Sequence, residues 1–249
     1  MAAADAGPSA PAPPAAAARR RLWMFVAWCA WLLAWLAPVL LLGPRTPDPR
    51  PWLDPASAPA AVLAGAALFL VAAWPFWPAL LPDPFSRGGS GDPPRGTVVG
   101  ARFVGLSALE VLILAALAAP MFLVARSVGQ TLHVWPAAAT GAGLVVFGVG
   151  LRTAAVGLGD GAPRRLMVGA LLVAAGPPAV YYAAAETIGA VLPWLPAASP
   201  VVAMVQAGTV GWPDGPWPQI ARLYLWPMVG VGLAVVGIVC ARRARAANV

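Results

Sequence analysis

Residues 19–42 read RRRLWMFVAWCAWLLAWLAPVLLL: three arginines, then a long run of hydrophobic side chains. A helix of about 20 apolar residues spans the hydrocarbon core of a bilayer, and positions 22–43 supply one. Similar runs follow at approximately 58–81, 103–125, 136–158, 166–190 and 221–241. The whole chain is 60% hydrophobic and 10% charged. Apolar runs of that length with so little charge predict an all-α polytopic membrane bundle of six transmembrane helices.

The arginines orient the bundle. All 16 basic residues are arginine. With the N-terminus cytoplasmic and one crossing per run, twelve fall inside: Arg19, Arg20, Arg21, Arg87, Arg95, Arg102, Arg152, Arg164, Arg165, Arg242, Arg243 and Arg245. Arg45, Arg50, Arg126 and Arg222 fall outside, four in all. The positive-inside bias favours this orientation, with both termini cytoplasmic. The net charge of +7 therefore reads as attraction to anionic headgroups, and no segment is long enough to offer a basic face to nucleic acid. Abundant Ala, Gly, Pro and Arg without lysine resembles GC-rich codon usage, which suggests a bacterial source and the inner (plasma) membrane.

Residues 1–18, mostly Ala and Pro, cannot bury enough surface to fold alone and are expected to form a disordered cytoplasmic tail. Residues 19–245 would form the transmembrane domain, and 246–249 a short C-terminal tail. The run after Arg21 is longer than a secretory signal core and lacks a small-x-small cleavage pattern at Gly43-Pro44-Arg45, so it is expected to remain as the first span.

Within the spans, Trp28, Trp31 and Trp35 share one helical face, read as a packing or lipid-facing stripe. Trp74-Pro75-Phe76-Trp77-Pro78 is expected to set aromatics at the inner interface and to kink the exit of the second span. Gly150 and Ala154 make a small-xxx-small pair that suits an interior fourth helix. Gly176-Pro177-Pro178 removes two backbone donors from the fifth helix, which predicts a kinked, buried or cavity-lining element. Ser199, Pro200 and Gly208 read as N-cap, first helical position and stop of a two-turn helix. Too short to span and too apolar for water, it should be a re-entrant or interfacial helix on the outer side, before the last span.

Chemistry is sparse. His133 is the single histidine, too few for bis-histidine haem or a histidine-based metal site, and Ser107 and Ser127 have no histidine on a facing helix. Cys29 and Cys240 lie at opposite ends of the chain and read as packing residues. No Walker A motif is present, and the chain has no lysine to supply one. The reading is a non-enzyme without metal or cofactor of its own. Glu110 is the acid inside a span, a costly position that calls for protein, water or a partner. Arg102 lies eight residues earlier on a similar face, Arg152 sits where it could snorkel from the fourth helix, and Glu186 is placed for solvation. Glu110 thus fixes helix packing or lies on a transport or coupling path.

From Arg95 to Arg245 the chain resembles the membrane subunit of type-2 ABC transporters, the ABC-2 permease family. The resemblance is carried by order and spacing: Arg95-Gly96-Thr97, then Ala119-Pro120-Met121-Phe122 closing a helix. A Gly-rich helix ending Gly150-Leu151-Arg152-Thr153 follows, then the turn Pro163-Arg164-Arg165. Ala198-Ser199-Pro200-Val201-Val202-Ala203-Met204 precedes a last helix that closes on Arg242-Arg243. The sequence departs from the family in its short, Pro- and Gly-rich loop between the second and third spans. The resemblance implies a permease exporting a lipid, polysaccharide or hydrophobic compound, with a second permease protomer and a separate ABC ATPase that binds the ATP. It nominates Glu110, Arg102, Arg152, Pro177, Pro178, Ser199 and Pro200 as transport or coupling residues. The alternative is a non-transporting scaffold or assembly subunit of a larger membrane complex; a membrane enzyme lacks catalytic groups.

Overall fold

The computed structural model describes residues 14–43, 54–77, 101–129, 131–159, 161–188, 198–211 and 217–246. Among them every regular element is helical. Helix α1 covers Pro14–Leu42. Helix α2, Ala58–Leu68, continues through a π turn at Phe69–Ala73 and a 3₁₀ turn at Trp74–Phe76. Then come α3, Ala101–Val128, α4, Val134–Gly157, and α5, Ala162–Ile188. The short α6, Pro200–Thr209, precedes α7, Trp217–Ala246. Six helical stretches are long and apolar enough to cross a bilayer, and the chain is a multi-pass membrane protein. Helix α1 begins at Pro14, inside the segment read as a tail. Proline suits a first helical position, and the alanines after it favour helix.

Side-chain register shows the alternation of direction. Arg21 in the first half of α1 meets Glu110 in the first half of α3, and Trp28 meets Leu114 at the midpoints, so these two helices run parallel. Trp77, after α2, donates its indole N–H to the carbonyl of Arg20, 3.1 Å away, which sets α2 antiparallel to α1. Arg21, Trp77, Glu110 and Arg152 thereby share one end of the bundle, called here the basic end.

Helix α2 is the axis of the packing. One apolar cluster joins it to α1 and α3 through Trp28, Leu32, Val62, Phe69 and Leu114. A second joins it to α4, α5, α6 and α7 through Leu63, Val71, Leu144, Phe147, Ala170, Met204 and Trp226. The tryptophan stripe of α1 is packing: Trp28 donates to the Leu114 carbonyl and Trp31 to the Gly65 carbonyl, each at 2.8 Å. An indole ring buries hydrocarbon, and its N–H must find an acceptor once water is excluded.

Two expectations change. Trp74 and Phe76 are not interfacial but fully buried. Pro75 has no N–H for the ordinary helical bond, and the preceding turn widens so that the backbone N–H of Trp74 reaches back to the Phe69 carbonyl. One extra residue in a turn advances the helix phase by about 100°, which carries the residues after it onto a different face. Of the alternatives for α5, the buried one is not found: the helix is covered along one side, and its Gly169, Ala170 and Val173 line an open groove. Ala162, Ala170 and Ala174 are its buried apolar positions, whereas Leu172, Val180 and Tyr182 are well exposed. A narrow alanine stripe gives contact with the bundle on one side and leaves the rest for lipid. Helix α3 also passes through Pro120 and ends at Val128.

Candidate functional site

Helix α3 turns Ser107, Glu110, Leu114, Ala118 and Ala125 inward at steps of three, four and seven residues. Glu110 is 5% exposed. Its Oε2 accepts a hydrogen bond from Arg152 Nη1 of α4 at 2.7 Å, and its Oε1 lies 3.2 Å from Arg21 Nε of α1. The Trp74 indole, carried inward after the π turn, donates to Oε2 at 3.3 Å. The same ring lies under the Arg152 guanidinium, 5.9 Å from its centroid. Four elements thus meet on one carboxylate.

The arrangement answers the cost of charge in a low-dielectric interior. Among the described residues two arginines meet this carboxylate, and their exposures give them different parts. The Arg152 side chain is 16% exposed and that of Arg21 44% exposed, so Arg152 serves as the buried partner and Arg21 reaches toward solvent or headgroups. Arg152 therefore does not snorkel: a carboxylate at its own depth is a nearer partner than the interface. The side chain of Arg102 lies outside the described residues. Ser107, one turn from Glu110 toward the basic end, is 1% exposed and its hydroxyl has no partner among the described residues. The cluster can lock four helices together or, if loosened, release them. The described residues also contain no group of three or more His, Cys, Asp or Glu able to hold a metal ion.

The other nominated residues meet elsewhere. Pro178 takes away the N–H that would bond the Ala174 carbonyl one turn earlier. Ser199, fully buried before α6, donates its hydroxyl to that same carbonyl at 2.6 Å. Its oxygen also accepts from the N–H groups of Val201 and Val202, at 3.2 and 3.4 Å, as an N-cap should. Pro200 occupies the first turn, where a missing N–H costs nothing. One serine thus caps the short helix and partners the carbonyl that Pro178 frees, which pins α6 into the bundle. Its far end is held too: the His133 N–H donates to the Gly208 carbonyl at 2.8 Å.

Ser199→Ala is expected to destabilise the protein by about 1–2 kcal/mol, combining a lost cap with an orphaned carbonyl. In a Pro178→Ala background the cost should shrink, because the substituted alanine can supply the missing N–H. Unfolding in mixed detergent micelles, followed by circular dichroism, measures both. An undiminished cost in that background would reduce Ser199 to its capping role.

Sequence reasoning missed Arg21 and Trp74 as partners of Glu110. A usable signal was present: with alternating spans, Glu110 and Arg152 lie at similar depth, and two opposite charges there should pair. The Trp74 contact depends on the π turn, whose only local sign is Pro75. Searches of protein-family models, characterised proteins and solved structures find no match to this chain.

Proposed function

We propose that the protein is the membrane-spanning subunit of an ABC-2-type exporter, paired with a second permease protomer and a separate ATPase in a bacterial inner membrane. The observation that carries this reading is α6. A short helix stands before the last span, too short to cross and anchored in the bundle by Ser199. That order, six spans with a seated outer helix ahead of the sixth, is the architecture the resemblance implies. The basic end then faces the cytoplasm, as the excess of arginine there favours. The Glu110 cluster ties the ends of α1 to α4 together on the side where an ATPase would push. A tilt of α3 or α4 relative to α1 would have to break or re-pair those charges, which makes the cluster a coupling element of this mechanism.

Affinity purification from native membranes in mild detergent tests the reading. The expected result is co-purification of a soluble protein with a Walker A motif, lost when residues 82–102 are replaced by a neutral linker. Recovery of membrane subunits alone would overturn it and favour an assembly subunit.

A further inference from the structure

Between α4, α5 and α7 the described residues line an open groove of about 250 Å³. Arg165, in the first turn of α5, stands at its basic-end mouth, and Phe147, Gly169, Val173, Trp226 and Leu233 line it farther in. Three observations give this groove an occupant. The first turn of α5 carries Arg164 and Arg165 but no acidic residue, so two cations sit at the positive end of a helix dipole. Neither arginine has an ion-pair partner among the described residues; Asp160, the nearest acid in sequence, lies outside them. Trp226, 6% exposed, gives the groove an aromatic wall, with its indole nitrogen closed to solvent. Finally, a Cβ built on Gly169 meets nothing within 4 Å, so protein does not fill the slot at that point.

We propose that this groove binds an anionic glycerophospholipid from the leaflet at the basic end. Its phosphate takes the place of the missing anion beside Arg165 and the α5 N-terminus, and an acyl chain lies in the apolar slot. Charge complementarity selects an anionic lipid over a neutral one, and the hydrocarbon walls select a lipid over free phosphate. The proposal stands whether or not an ATPase partners the chain.

Native mass spectrometry of the full-length protein in detergent tests it, with phosphatidylglycerol and phosphatidylcholine of identical chains as probes. The wild type should retain phosphatidylglycerol preferentially. Arg165→Gln should weaken that retention about five-fold, the worth of one basic residue near an anionic headgroup, and leave phosphatidylcholine unchanged. Gly169→Phe should fill the slot and lower retention of both lipids while thermal stability holds. Arg242→Gln, which alters an exposed arginine at the same end, should do neither. Equal retention of the two lipids would overturn the proposal, as would an Arg242→Gln loss matching that of Arg165→Gln. Indifference to Gly169→Phe, or displacement of the lipid by millimolar inorganic phosphate, would also overturn it.

Discussion

Replacing Glu110 with alanine is expected to destabilise the bundle by about 3–5 kcal/mol, the penalty for removing one partner of a buried ion pair. Most of that cost is not the loss of attraction. It is the desolvated guanidinium left behind: Arg152 is 16% exposed and loses a 2.7 Å charge-assisted bond. Trp74 loses the acceptor for its indole as well. Arg21, 44% exposed, can turn to solvent or headgroups and should contribute little. This ordering yields a pattern across variants. Arg152→Met should cost less than Glu110→Ala, because the carboxylate keeps Arg21. The double variant Glu110→Ala/Arg152→Met should recover much of the loss, since the buried guanidinium is removed together with its carboxylate. Arg21→Ala should stay within about 1 kcal/mol of wild type. Unfolding in mixed micelles measures each. Additive losses for the double variant would show that the two residues act independently, contrary to the geometry.

How far these features could be read in advance depends on whether they are local. The spans were legible because hydrocarbon length is written along the chain. The short helix was legible because Ser199-Pro200 is a local start signal whose meaning survives folding. Arg102 was legible beside Glu110 because eight residues bring two positions to a similar face of one helix, whereas Arg152 and Arg21 reach Glu110 from other helices. Spacing along one helix says nothing about a neighbour; only matching depth could have pointed there. Trp74 was illegible for another reason. Pro75 forces the preceding turn to widen, and the resulting phase shift moves an expected interfacial ring into the core. The double proline of α5 foretold a freed carbonyl in need of a partner, yet not that the partner would be Ser199 from a segment 25 residues away, because that contact is made only in the folded bundle.

The seam between α4 and α7 carries the other large expected effect. Gly150 faces Gly230 and Gly157 faces Gly237, two parallel helices meeting at steps of seven residues on each. A seven-residue repeat keeps one stripe of each helix against its neighbour along a left-handed crossing. At these positions the neighbour is backbone: a Cβ on Gly150 would fall 2.7 Å from the Gly230 Cα, and one on Gly237 2.5 Å from the Thr153 carbonyl oxygen. Flexible side chains can yield to such an intrusion, but a helix backbone moves only as a rigid rod. Gly150→Ala or Gly230→Ala should therefore cost about 3 kcal/mol, the upper range for overpacking. Leucine at either position should separate the two helices and stop the bundle from assembling. Gly105 and Gly232 are the internal controls, since a Cβ on either meets nothing within 4 Å. Alanine there should be neutral or should stabilise by up to about 1 kcal/mol through helix propensity alone. The comparison separates contact from propensity, because all four substitutions add the same methyl to a helix. Equal responses at Gly105 and Gly230 in a thermal-stability assay would mean that α4 and α7 do not meet backbone to backbone.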